Sequence, residues 1–227
     1  MRFIMNNAAR IKLKFTLIEL LIVVSIIVIL IAILLPSLQK AKQTTKSIVC
    51  RNNLKQIHLS SLSYTSDNNE WVLLMKWPVW YTRLYDYGLK YPVSFMCPSE
   101  TTAFGNYNDG FFKYTHYALN PFLCGATDEP LYKPHKISAV TSPSTAIFTG
   151  DSAMIAGTAI RYTSHLSYRH SGGIPVKMTG SSDTVYLVNK DKGTANIVYM
   201  DGHVEAKTFN SLGGLVTNAP MKNGFNE

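Results

Sequence analysis

The hydrophobic positions of this chain are unevenly spread. Residues 15–35 form an almost unbroken apolar run, in which 17 of 21 residues are Leu, Ile, Val or Phe. At about 1.5 Å of rise per residue, a helix of that length spans about 31 Å, close to the ~30 Å hydrocarbon core of a bilayer. Each such residue contributes about −0.3 to −0.6 kcal/mol to insertion, on the order of −8 kcal/mol for the run. The carboxylate of Glu19 opposes this by roughly 3 kcal/mol at most, because it lies near one end. The run predicts a transmembrane helix over 15–35 with one costly acid kept inside it. Pro36 follows; it fixes φ and removes an N–H, so a kink is expected there.

Beyond Pro36 the period changes but the helix does not stop. No Pro or Gly occurs over 37–69, and Leu38, Ala41, Thr45, Ile48, Val49, Cys50, Leu54, Ile57 and Tyr64 recur at three- and four-residue steps. Such spacing predicts one apolar stripe on an extramembranous helix over 36–66. The cluster Ser66-Asp67-Asn68-Asn69 ends it. From Glu70 turn residues come at short intervals, with aromatic pieces between them, and short helices and loops are expected. Strands are predicted at 144–149 and 195–200, with a further one at 185–188. Asp201-Gly202 predicts a two-residue type I′ hairpin turn, returning as a strand over 203–208. Residues 67–212 thus read as one globular domain, and 213–227 as a loose tail. The predicted fold class is α+β: a long N-terminal helix, half transmembrane, packed on a C-terminal domain with a small antiparallel sheet.

Charge adds a direction. The chain carries a net +8, and Arg2, Arg10, Lys12 and Lys14 supply half of it in a leader, residues 1–14, that has no acid. A basic flank before an apolar run places the N-terminus in the cytoplasm and the C-terminal domain outside. The remaining charge is diffuse, and no basic cluster with interleaved aromatics follows, so nucleic acid is not an expected partner. A hydrophobic content of 46% with 11% aromatics indicates a packed core. The run exceeds the roughly 7–15 residue core of a cleaved secretory signal, and no A-x-A-like site follows it. A plain signal anchor, with Glu19 incidental, stays open at this point.

Candidate chemistry is sparse. Cys50, Cys97 and Cys124 show no metal-ligand spacing. Outside the cytoplasm they allow three single disulfides. Cys50–Cys97 is favoured, because it would tie the helix to the globular part. His170, His203, Asp151 and Asp201 could converge as a metal cluster or an acid/base pair, against the simpler reading of a structural hairpin. For a metal, oxygen-rich loops put Ca2+ ahead of Zn2+; otherwise no cofactor is expected. No G-x-S-x-G, H-E-x-x-H, phosphate loop or paired catalytic carboxylates occur, so no enzyme is expected. The aromatic stretch over 77–91 reads as core and interface before it reads as a carbohydrate platform.

Two sets of residues carry a resemblance. KFTLIELLIVVSIIVILIAILLP has a basic leader running into Phe15, with Glu19 the fifth residue from that Phe and Pro36 the twenty-second. It resembles the class III signal of the type IV pilin superfamily, which includes the pseudopilins of type II secretion. RHSGG followed by ANIVYMDGHVE, with CRNNLKQI and FMCPS before them, is similar to the H…DGHV pattern of a pilin-like family abundant in planctomycetes, verrucomicrobia and lentisphaerae. The stretch between His170 and Asp201-Gly202 is longer here. The superfamily normally has Gly or Ala before the cut; Lys14 stands there instead, as it often does in that group. The resemblance implies a cut between Lys14 and Phe15 by a prepilin peptidase, and N-methylation of Phe15. It further implies an assembly role for Glu19, other pilin-like subunits as partners, and residence in the inner membrane. The expected function is a pilin-like or pseudopilin subunit. The alternative is a single-pass membrane protein displaying a ligand-binding or enzymatic domain that does not polymerise.

Overall fold

The structure, a computed structural model, describes residues 16–75, 80–90, 92–101, 115–125, 132–153, 159–161, 163–173 and 192–213. The leader, Lys14, Phe15, the strand expected at 185–188 and the tail from residue 214 lie outside the described residues.

Helix α1 runs Leu17–Asp67, 51 residues, and continues through Pro36. Its start is set by a capping box: Glu19 Oε2 accepts from Thr16 N–H at 2.8 Å and from the Thr16 hydroxyl at 2.7 Å. The Glu19 N–H in turn reaches Thr16 Oγ1 at 3.4 Å. Its end is set by Asn69, whose φ of +52° lets the Glu70 N–H bond back to the Thr65 carbonyl at 3.0 Å.

Contacts divide the chain into two units, Met1–Ala41 and Lys42–Glu227. In the first, the described part is the apolar beginning of α1, and its large side chains are exposed from Leu17 to Leu35. It is the one described helix long and apolar enough to cross a membrane.

In the second unit, the rest of α1 packs on a four-stranded antiparallel sheet of order β1-β2-β3-β4. The strands are β1 Tyr117–Leu119, β2 Ile147–Asp151, β3 Ala195–Tyr199 and β4 Val204–Lys207. Period-two alternation divides two cores. Tyr117, Leu119, Phe148, Val198 and Met200 face a cluster that includes Cys50, Leu54, Ile57 and Tyr64 of α1. Ala118, Ile147, Ile197 and Tyr199 face a second cluster with Leu166, Tyr168, Phe209 and Leu212. Every residue of β2 and β3 is buried, because both faces of the sheet are covered. Short helices α2 Trp80–Arg83 and α3 Pro121–Cys124 close the first cluster. Trp80, Tyr81, Leu84 and Leu89 of the aromatic stretch lie inside it, while Tyr85 is exposed. This is the expected α+β class, and its arrangement is pilin-like.

Three local expectations need correction. The buried face of α1 is Ser47, Cys50, Leu54, Ile57, His58, Ser60, Ser61, Tyr64 and Thr65, while Leu38, Ile48 and Val49 are exposed. Small hydroxyl residues serve on a packed face because they bond back to their own helix, as Ser61 does to the His58 carbonyl and Thr65 to that of Ser61, both at 2.8 Å. The hairpin after β3 has a three-residue loop, 200–202, rather than two: Gly202 N–H reaches the Tyr199 carbonyl, and Tyr199 N–H reaches that of His203. Only Gly202, not Asp201, has positive φ, which is a type I turn closed by a left-handed glycine. Lastly, β2 starts three residues later than expected, at Ile147, and runs on to Asp151.

Candidate functional site

The end of β2, the RHSGG segment and β3 meet α1 in a buried polar cluster. Asp151 closes β2 and His170 is held by paired backbone bonds with Thr194. His170 Nε2 lies 3.1 Å from Asp151 Oδ2, both side chains fully buried. The same nitrogen is 3.6 Å from Cys97 Sγ, and His170 Nδ1 is 3.2 Å from the Ser99 hydroxyl. Cys97 is joined to Cys50 of α1 by a disulfide, with Cα atoms 5.2 Å apart. Asn196 of β3 links the pieces: its N–H donates to Asp151 Oδ2 at 2.7 Å, and its Oδ1 accepts from Ser47 of α1 at 3.3 Å. Next to this, Arg169 and Glu100 form a fully buried ion pair at 3.2 Å. The Arg169 guanidinium also donates to the Ser152 and His116 carbonyls. Tyr117 completes the wall. Burial, then the Asp151 carboxylate, pushes its phenol far above the ordinary range, and Asn53 donates to it. Cys124 is a buried free thiol; burial pushes its pKa up, so it stays neutral and is a packing residue.

The Asp201-Gly202-His203 turn makes a second group. Asp201 Oδ1 lies 2.5 Å from His203 Nδ1 and accepts from His203 N–H at 3.1 Å, an Asx turn. Burial works against the Asp201 charge, but these bonds outweigh it and hold the carboxyl below its usual range. His203 stacks on Tyr199, ring centroids 4.2 Å apart. Burial, then Glu205, raises the Tyr199 phenol to about 12. The turn sits on α1. Lys55 Nζ donates to the Gly202 carbonyl at 2.6 Å, and a Cβ on Gly202 would lie 2.8 Å from His58 Cδ2 and Nε2. His58 is 1% exposed, packs edge-on against Phe148, and has no hydrogen-bond partner on either ring nitrogen among the described residues. Burial, then the nearby Lys55, lowers its pKa to about 4, so it is neutral at pH 7.

The four side chains expected to converge therefore form two separate pairs. Asp151 and His170 are buried together; Asp201 and His203 are about one-third to two-fifths exposed in the turn and join no larger ligand group among the described residues. The reason is chain direction: Asp201 and His203 lie beyond the end of β3, whereas Asp151 meets β3 at Asn196. Sequence reasoning missed Asn196, Ser99, His58 and the Arg169–Glu100 pair. Asn196 had a signal, a polar residue inside the apolar run of ANIVY; the others had none, because their partners lie 69 to 144 residues away.

Chemically, both groups act first as fasteners between α1 and the sheet. No family model, curated protein or solved structure matches the chain.

Proposed function

We propose that this chain is a pilin-like or pseudopilin subunit. In this reading α1 anchors it in the inner membrane, with the N-terminus cytoplasmic and the sheet domain periplasmic or extracellular. A prepilin peptidase cuts between Lys14 and Phe15 and methylates the new terminus. Subunits then assemble by helix packing into a pilus or a type II secretion pseudopilus. No catalytic role is assigned.

The observation that carries the proposal is the contrast between the two ends of α1. From Ser47 onward the helix is clamped to its own domain by a disulfide and side-chain hydrogen bonds. From Leu17 to Leu35 its large apolar side chains are exposed among the described residues. Lipid covers such a surface in a monomer, and neighbouring helices can cover it in an assembly. Cutting before Phe15 creates a free ammonium one residue ahead of Thr16. A neighbour's Glu19 reaches that depth when two helices stagger by about one turn, and pairing then offsets the cost of an acid in lipid.

The second reading, a single-pass anchor displaying a binding or enzymatic domain, draws on the capping box. Thr16 already supplies the Glu19 carboxylate with two hydrogen bonds, so the acid has a local partner without assembly. Intact mass and N-terminal sequencing separate the two. N-methyl-Phe15 as first residue fits assembly, and a retained Met1 in the membrane-bound protein fits the anchor. Glu19→Val, expressed beside wild type, is expected to reach normal membrane levels with a folded sheet domain and to be missing from sheared or pelleted filaments. Normal incorporation would refute the pairing.

A further inference from the structure

Four side chains with metal-ligating atoms meet where α1, the FMCPS segment, β2 and the RHSGG segment come together. One donor atom each from Cys50, Cys97, Asp151 and His170 lies within 4.8 Å of every other, and all four residues are buried. A tetrahedral Zn2+, at about 2.3 Å from sulfur and about 2.0 Å from nitrogen or oxygen, spaces its ligand atoms about 3.3 to 3.8 Å apart. The His170–Cys97 and His170–Asp151 separations, 3.6 and 3.1 Å, are already near that length. The edge that differs most in kind is Cys50–Cys97, where the two sulfurs are bonded to each other.

We propose that these four residues are a zinc site alternative to the disulfide. In the dithiol state, Cys50 and Cys97 thiolates, His170 Nε2 and the Asp151 carboxylate hold one Zn2+; in the disulfide state they hold none. Entry to the metal state takes a dithiol donor. The protein's S–S bond breaks, and two electrons and two protons pass from the donor to the two Sγ atoms. The donor leaves as a disulfide, and the thiols release two protons as Zn2+ binds. The reverse takes a disulfide oxidant, which accepts the two electrons from the thiolates and two protons from water, leaves as its dithiol and frees the metal as the Cys50–Cys97 bond re-forms.

Two features beyond proximity point to a ligand. Asp151 Oδ1 belongs to a fully buried carboxylate and has no hydrogen-bond partner among the described residues. A buried acceptor left so is costly, and a metal ion would satisfy it. The outer partners that a metal site needs are also in place: Ser99 at His170 Nδ1, the Asn196 N–H at Asp151 Oδ2, and Ser47 fixing Asn196. Two sulfurs and an imidazole select Zn2+ over Ca2+, which takes oxygen ligands. The proposal does not depend on polymerisation.

The test uses the full chain in detergent micelles, oxidised or reduced with a phosphine that is then removed without air. Each form is titrated with Zn2+ alone and with Co2+ alone. The reduced chain is expected to keep one Zn2+ through gel filtration, to show thiolate-to-cobalt charge transfer with tetrahedral bands, and to retain near-ultraviolet dichroism. The oxidised chain is expected to keep none. Cys124→Ala should leave the stoichiometry unchanged. His170→Ala and Asp151→Asn should each weaken binding by at least about tenfold, the loss that even a removed outer partner brings. Because a buried-site variant can lose its fold, the cobalt spectrum of reduced wild type decides independently. No metal uptake by that form, a cobalt spectrum without thiolate charge transfer, equal affinity in both folded variants, or zinc retained with the disulfide intact would each overturn the proposal.

Discussion

At Gly202 the backbone runs at φ +87°, and it passes so close to α1 that an added methyl would meet the His58 ring at 2.8 Å. A left-handed residue with a Cβ costs roughly 1–2 kcal/mol, and His58, packed against Phe148, has little room to retreat. Gly202→Ala should destabilise the domain by about 2 kcal/mol or more. If the close approach matters as well as the φ, adding His58→Ala must return part of that loss. A double-mutant cycle on denaturant midpoints measures it, and strict additivity would show that only the backbone angle counts. The Asp-Gly dipeptide announced a turn at once. Its class was not legible, because Met200 has the apolar character of a strand residue yet serves as the first residue of the loop. Nor did anything in the dipeptide reveal the helix beneath it, since that contact spans more than 140 residues of chain.

Among elements, the docking of α1 on β2 and β3 has an acid-sensitive point. His58 is neutral in the folded protein with a pKa near 4, against about 6.5 when unfolded. Folding therefore excludes a proton between those values. The contribution is complete above about pH 6.5, declines as pH falls, and is fully lost near pH 4. The loss amounts to about 3 kcal/mol for a shift of this size. His58→Leu should flatten the stability profile between pH 6.5 and 4, as read by chemical denaturation across that range. An unchanged slope would remove His58 as the source. β3 was legible because Ala195, Ile197, Val198 and Tyr199 dominate its five positions, whereas β2 was legible only from Ile147 to Thr149, since Gly150 and Asp151 read as a turn. β1 was not: three residues are too few to show a period, and Tyr117–Leu119 follows a stretch full of aromatics. The long helix was legible from its length without Gly. Its buried face was misplaced, because Ser47, Ser61 and Thr65 satisfy their hydroxyls and pack like small apolar residues, leaving Ile48 and Val49 outside. Asp151 with His170, and Cys50 with Cys97, were legible as pairs, but their meeting in one metal-capable cluster was not, for a related reason. Its members lie 19 to 120 positions apart along the chain, and only the fold makes them neighbours.

For the whole molecule, the disulfide divides the chain into what can and cannot be stretched. With the start of α1 held and the sheet pulled, force runs along the helix to Cys50, crosses to Cys97 and continues toward β1. Residues 51–96 lie inside the closed ring and bear no tension. The last third of α1 and the aromatic core on it would stay slack under a load that unravels the strands. Single-molecule pulling on the full chain should show a contour shorter by about 155 Å when oxidised than when reduced, from a separation of 47 residues at about 3.3 Å each. Equal contours would mean that the bond does not carry the load. A protein fastened at one end and pulled at the other thus has a fixed limit to its extension, set by where one covalent link is placed along the thread.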